Sequence, residues 1–299
     1  MHNLYSIFEF KFPIGVSKSA LGKIYPIKIA GVSGFIHTPH SPLWTENESE
    51  PLRRSLTAPE VSIRWKQGGE PIFWGKPNSY PEGDSFLHKV IFEFNVDDFE
   101  SKGKLIYESF ISWLNLLLDY IEIMTNQNVR IEQTLNVYGD QFSLFHCSKE
   151  GKRKRISENI EVIINLEGWQ RNISDVVLSK SCNLASSCLQ PKLPYRLYLE
   201  ANRAFLQKDY RKTLIECGAA IENALTESII TELIRIGKTE DEIGILLNRK
   251  CNKTLGGRFN LADSQLKLYL LQKQYDYRKL LIEPRNEVVH EAKFITRSV

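Results

Sequence analysis

Apolar and polar positions alternate along much of the first part of the chain. Lys23–Ile29, Val61–Trp65, Lys89–Val96 and Val129–Val137 each put every second side chain on one face, and Leu4–Phe12 is dense in aromatic and β-branched residues. A period of two is that of a half-buried strand, so these segments predict a sheet with one face inward. Tyr138-Gly139-Asp140 reads as a hairpin turn, and Gly151-Lys152-Arg153-Lys154-Arg155 as a connection before a further strand at Glu161–Leu166. One segment breaks the pattern. Leu105–Met124 carries Ile106, Phe110, Trp113, Leu114, Leu117 and Ile121 near helical spacing, which predicts a helix covering one face of the sheet. Thr38–Pro59 is polar and rich in proline, and reads as a long loop.

After about Gln190 the alternation ends and the helical period takes over. A helix over Tyr195–Gln207 places Leu197, Ala201, Ala204 and Phe205 on one stripe. Asp209 stands where an N-cap belongs, ahead of a long helix with Leu214, Cys217, Gly218, Ile221, Leu225, Ile229 and Leu233 along one face. Gly237 is the stop signal, and Thr239 with Glu242 forms a capping box for a short helix over Asp241–Leu247. A Gly-containing loop over Asn252–Asn260 then leads to a long helix over Asp263–Ile282. Pro284 lacks an amide hydrogen, so it kinks that helix or opens a new one over Arg285–Lys293.

The patterns therefore predict an α+β chain, with a β-rich domain over 1–190 and an all-helical bundle over 191–299. A length of 299 residues fits two domains. With 42% hydrophobic and 25% charged residues, wholesale disorder is excluded. The net charge of +3 says little until it is divided. Residues 191–299 hold 10 Lys and 9 Arg against 4 Asp and 10 Glu, a balance of +5, which leaves −2 in 1–190. Five cysteines without a CxxC spacing suggest neither a secreted disulfide scaffold nor a structural zinc site. No metal and no cofactor is expected. The start of the chain lacks a signal-peptide pattern, and Phe110–Met124 is too short and too polar to span a bilayer, so the expectation is a cytoplasmic protein without a membrane partner.

Three places in the helical part carry a family pattern. The first is the hairpin of a short and a long helix over Tyr195–Leu225. The second is Lys253-Thr254-Leu255-Gly256. The third, and most specific, is Arg285-Asn286-Glu287-Val288-Val289-His290, an R-N-x-x-x-H motif. A bare R-x4-H is expected by chance about 0.3 times in this composition, and requiring Asn after the Arg lowers that to roughly 0.02. Together these segments resemble the HEPN superfamily over about the last 105 residues. The β-rich part carries no such resemblance. The Tyr that some members have two positions after the His is replaced here by Ala292.

The resemblance implies a four- to five-helix domain that dimerises, and for many members metal-independent cleavage of RNA with 2′,3′-cyclic phosphate ends. It suggests a role in prokaryotic phage defence or toxin-mediated growth arrest, with the β-rich domain sensing a trigger or restraining the nuclease. The residue types suit that chemistry. RNA carries its own nucleophile, the 2′-OH; histidine moves protons near neutral pH, and arginine offers a planar fork to a charged phosphate. His290 is thus the candidate general acid/base, Arg285 the phosphate stabiliser and Asn286 the supporting hydrogen-bonder. Asn286 and His290 lie i and i+4, about 40° apart, whereas Arg285 lies about 140° from His290. Arg278, Lys279 and Lys293 are candidate RNA contacts, with Tyr275 and Tyr277 as stacking platforms; the alternative for half or more of the cluster Tyr275, Tyr277, Arg278 and Lys279 is ordinary core and surface. Two alternatives remain open: a non-catalytic domain that binds a nucleotide or a partner, and an RNA-binding adaptor.

The other candidates have plainer readings. Lys152–Arg155 reads as a solvated hairpin tip, His37 and His40 as loop residues, and Gly256-Gly257 as a turn. His146-Cys147 is unsuited to a nucleophile pair, because neighbours on a strand point to opposite faces.

Overall fold

The computed structural model describes residues 2–41, 55–61, 72–77, 84–127, 129, 145–147, 153–155, 172–268 and 276–291. The fold is α+β. The chain divides into two compact units, Met1–Gln190 and Pro191–Val299.

The N-terminal unit is an antiparallel sheet. Its strands are β1 (His2–Val16), β2 (Ile24–Ile29), β3 (Val32–His37), β4 (Gly75–Pro77), β5 (Ser85–Val96), β6 (Phe145–Cys147) and β7 (Arg153–Arg155). They run in the order β2-β3-β5-β1-β6-β7, and β4 also pairs with β5. The long β1 and β5 form the spine, from His2 opposite Val96 to Val16 opposite Ser85, with an irregularity between Glu9 and Ile14 where β1 carries extra residues, Pro13 among them. Period-two burial follows from one covered face: β2 alternates exposed and buried from Ile24 to Ile29.

That face is covered by α1 (Phe99–Thr125) together with the helix Asp175–Ser186, which lies against β2. Asp98 caps α1 by accepting from the amides of Glu100 and Ser101, and Asn126 ends it in the left-handed conformation at φ 55°. The helix begins six residues before the periodicity predicts, because the cap and not the apolar stripe sets the start. Phe92 anchors the contact. Its ring meets those of Phe110 at 5.4 Å and Trp113 at 5.9 Å, both nearly perpendicular, an edge-to-face geometry favoured by the ring quadrupoles.

Several expectations for this unit need correction. A second helix, α2 (Asp175–Ser186), lies in the stretch expected to be strands and loops, capped by Ser174 and burying Leu178, Cys182 and Ala185. Its apolar stripe is narrow, with polar Ser181 among the buried residues, so the helical period is faint. Arg153-Lys154-Arg155 are not a hairpin tip but the strand β7, paired with Cys147, His146 and Phe145. His37 is the last residue of β3, and His40 pairs through its backbone with Thr57, so neither sits in an unstructured loop. The expected strands Val61–Trp65, Val129–Val137 and Glu161–Leu166 and the turn at Tyr138–Asp140 lie wholly or mostly outside the described residues.

On the sheet face away from α1, His37 joins a polar network. Its Nε2 lies 2.8 Å from Glu93 Oε2, and the Tyr5 hydroxyl donates to Glu93 Oε1 at 3.1 Å. Asn3 Nδ2 donates to the Tyr5 hydroxyl at 2.9 Å. The His37 hydrogen bond holds the Glu93 carboxyl below the usual range, against the opposing pull of burial. A lowered native value means stability that is present above the unfolded-state value and is lost as pH falls through the native one. Glu93→Gln is therefore expected to cost about 2 kcal/mol at neutral pH and much less in acid. All five tryptophans precede residue 190, so urea unfolding followed by tryptophan fluorescence reads this unit alone. A gap between wild type and variant that does not shrink on acidification would contradict the assignment.

The C-terminal unit is helical. A hairpin of α3 (Leu193–Leu206) and α4 (Tyr210–Arg235) is joined by three residues and capped by Asp209, which accepts from the Lys212 amide. Gly237 ends the segment at φ 83°, and the Thr239–Glu242 capping box opens α5 (Glu240–Leu247). Leu225, Ile229 and Leu233 of α4 form the core with Ile243, Leu255, Phe259, Leu261 and Leu281. On α3 the inward residues are Leu199, Ala201 and Ala204, while Phe205 is exposed, contrary to the expected stripe.

The end of the unit also differs from expectation. Leu255–Asn260 is not a loop but a short helix, α6, capped by Thr254. It runs on into a π-helical turn, Leu261–Gln265, and the helix does not continue through Lys267 and Leu268. A second π-helical turn, Arg278–Ile282, leads directly into α7 (Glu283–Glu291). Pro284 accounts for that turn: its ring and missing amide hydrogen disfavour the regular i→i−4 bond, and a wider turn makes room. No helix among the described residues is long and apolar enough to cross a membrane.

Candidate functional site

One stripe of α4 receives two arginines. Gly218, Glu222 and Thr226 succeed each other at four-residue steps, so they line one side of the helix with a drift of about 40° per step. Arg285 of α7 lays its stem on Gly218. A methyl group at 218 would stand 2.3 Å from Arg285 Cδ and 2.5 Å from its Nε. The guanidinium then reaches Glu222, with Nη2 3.5 Å from Oε2. Arg258 of α6 comes to the same carboxylate, Nη1 3.9 Å from Oε1, and donates to the Thr226 hydroxyl. The three charged side chains are 20 to 25% exposed, so solvent reaches them. The Nε atoms of both arginines are buried and have no acceptor among the described residues.

Glycine at 218 is informative because it sits inside a 26-residue helix, where it costs about 1 kcal/mol relative to alanine. The close approach of Arg285 explains it. Gly218→Ala gives a separable prediction. The arginine stem can swing aside, so the helix gain offsets the lost contact and the melting temperature changes little. Whatever Arg285 does at its present position is lost. Thermal melting beside an RNA-binding or cleavage assay checks this, and unchanged function with Arg285 displaced would remove the residue from the site.

The expected site residues are placed as follows. Arg285 is half-buried and faces α4, whereas Asn286, one residue on, is exposed. Val288, farther along α7, is fully buried. The helix therefore turns Arg285 and Asn286 to different sides within one chain. His290 belongs to α7 by its backbone, four residues after Asn286, and its side chain lies outside the described residues. Arg278 and Lys279 are exposed in the π-helical turn before α7, with Lys279 Nζ 3.8 Å from Asp276. Lys293 and Tyr275 lie outside the described residues. Tyr277 stacks on Phe259, centroids 6.2 Å apart and planes 28° from parallel, which agrees with the core alternative of its two readings.

Gly218, Glu222, Thr226 and Arg258 were not legible as site residues from the sequence. The available signal was a helical glycine followed by Glu at i+4 and Thr at i+8, on an otherwise apolar stripe. Nothing in spacing alone joins it to Arg258 or Arg285, which arrive from other helices. Among the described residues no three His, Cys, Asp or Glu converge as a metal site would need.

Comparison with known protein families, curated proteins and solved structures finds no match to the chain.

Proposed function

We propose that the C-terminal unit is a metal-independent endoribonuclease of HEPN type. The observation that carries this reading is the seating of Arg285: the motif arginine is held on α4 across a glycine, with its guanidinium reachable from solvent. An arginine placed in advance costs no reorganisation when charge builds on the phosphate. His290 takes the proton from the 2′-OH as that oxygen attacks the adjacent phosphorus. The 5′-oxygen leaves with a proton from solvent, to which the His290 imidazolium returns its own, and the products are a 2′,3′-cyclic phosphate and a 5′-OH. Asn286 hydrogen-bonds the phosphate, and Arg278, Lys279 and Lys293 hold the flanking backbone. A homodimer setting two α7 helices across one groove brings an Arg285 near a His290, which a single helix keeps about 140° apart. In this proposal the protein is cytoplasmic, acts in phage defence or toxin-mediated growth arrest, and uses its N-terminal unit to sense or restrain.

A second reading is favoured by one observation: Arg285 is already paired with Glu222. A domain that binds a nucleotide or partner without cleaving would keep such a pair as a brace. Labelled RNA incubated with wild type, Arg285→Ala and His290→Ala in EDTA separates the two. Cleavage by wild type alone supports the nuclease; equal cleavage by all three rejects the site. Salt-sensitive binding without cleavage favours the adaptor.

A further inference from the structure

We propose that Arg258 and Arg285 form a two-arginine seat for an RNA phosphodiester, and that Glu222 is an internal anion occupying this seat until RNA displaces it. The ligand class rests on the nuclease reading; the seat rests on the geometry of the side chains.

Three observations carry it. First, the two guanidinium groups come from separate helices, α6 and α7, yet converge on one carboxylate. Two positive charges share this one carboxylate. Second, the contacts are loose. Charge-assisted N–H···O bonds close to about 2.7–2.9 Å. In this same unit the exposed pair Arg235–Glu232 does so, at 2.6 and 2.7 Å. Glu222 stands at 3.5 and 3.9 Å from its arginines, within ion-pair range but short of tight hydrogen bonding. Third, both Nε donors are buried without an acceptor among the described residues. Each guanidinium therefore has donor capacity that Glu222 does not use. A phosphodiester offers two non-bridging oxygens and carries the charge that Glu222 supplies now.

The competition has a cost that sets affinity. RNA must separate Glu222 from both arginines, and the released carboxylate then repels the incoming phosphate. Removing that charge while keeping the side-chain shape should tighten binding. Removing one arginine should weaken it. Thr226 fits the scheme, since its hydroxyl holds Arg258 by the guanidinium whether or not Glu222 is engaged.

The test uses the full chain and a fluorescent oligouridylate with 2′-O-methyl riboses, which cannot be cleaved through its 2′ oxygen. Wild type, Glu222→Gln, Arg258→Gln and Arg235→Gln are titrated across a salt series, with melting temperature as the fold check. Arg235→Gln removes an equal charge at an exposed site away from the seat. Glu222→Gln is expected to bind on the order of tenfold tighter than wild type, and Arg258→Gln on the order of tenfold weaker. The salt slope of Arg258→Gln should fall by about 0.7, one phosphate contact on a single strand. Arg235→Gln should match wild type. Folded Glu222→Gln binding no tighter than wild type overturns the proposal, as does equal affinity of Arg258→Gln and Arg235→Gln. If Glu222→Gln does not fold, that arginine comparison decides alone. Binding shifts as expected without RNA cleavage by wild type would keep the seat and remove the nuclease. Cleavage that depends on His290, with no binding shift, would keep the nuclease and remove the seat.

Discussion

Replacing His290 with alanine is expected to lower RNA cleavage about 100- to 10,000-fold, the range for removing a general acid or base. His290 is the only histidine after residue 190, so no other imidazole there can take its place. An arginine side chain is not deprotonated in proteins, and an asparagine amide does not titrate. Both can stabilise charge, but neither can move the 2′-OH proton. The loss should therefore appear in the chemical step, with affinity for a cleavage-resistant RNA retained. Arg285→Ala should give a comparable loss of rate together with some loss of stability, because Glu222 then keeps only the more distant Arg258. Arg285→Lys should not restore the rate, since a point charge cannot reproduce the planar fork. Initial rates in EDTA, measured beside circular dichroism melts, distinguish these outcomes. A His290→Ala protein with near wild-type rates would exclude the residue.

The second large effect lies at the adjacent glycines 256 and 257. At 257 an added methyl would stand 1.7 Å from the Cys251 carbonyl oxygen and 2.8 Å from its carbon. Those are backbone atoms, so no rotamer change relieves the clash. The turn from Cys251 into α6 would have to move, and with it the Gly257 amide that donates to Thr254. Gly257→Ala is thus expected to destabilise the C-terminal unit by about 3 kcal/mol, at the top of the range for overpacking. It should also weaken whatever Arg258 contributes, because Arg258 is the next residue. At Gly256 the nearest atom to an added methyl is Ile282 Cδ1 at 3.8 Å, an ordinary contact. Gly256→Ala should be neutral or stabilising by up to about 1 kcal/mol, from helix propensity. Denaturant unfolding followed by circular dichroism resolves the pair, and equal effects at the two positions would contradict the packing argument.

These glycines show where sequence reasoning stopped. Lys253-Thr254-Leu255-Gly256 was legible as a pattern, but read as a turn in a loop. Thr254 is in fact the cap of a helix only six residues long, too short for a hydrophobic period to emerge. Lys23–Ile29 and Lys89–Val96, where the alternation is clean, and the two helices α1 and α4 were legible, because each carries an apolar stripe long enough to show its period. Caps were legible where side chain and spacing sufficed, as at Asp209 and Thr239. The strand β3 and the helix α2 were not, since Gly34 interrupts the first and Ser181 and Cys182 dilute the second. Charge pairing across helices is a tertiary property. Glu222 meets Arg258 and Arg285 across 36 and 63 residues of chain, which no local period encodes.

The most direct measurement of the central claim is the chemistry of the cut. An RNA oligonucleotide is incubated with the full-length chain in EDTA, beside the same oligonucleotide carrying 2′-deoxyribose at every position, and the product ends are identified by mass spectrometry. Cleavage of the RNA alone is expected, with 2′,3′-cyclic phosphate and 5′-hydroxyl ends, and its loss in His290→Ala. Cleavage of both oligonucleotides, 5′-phosphate ends, or cleavage that stops when EDTA is added would contradict it.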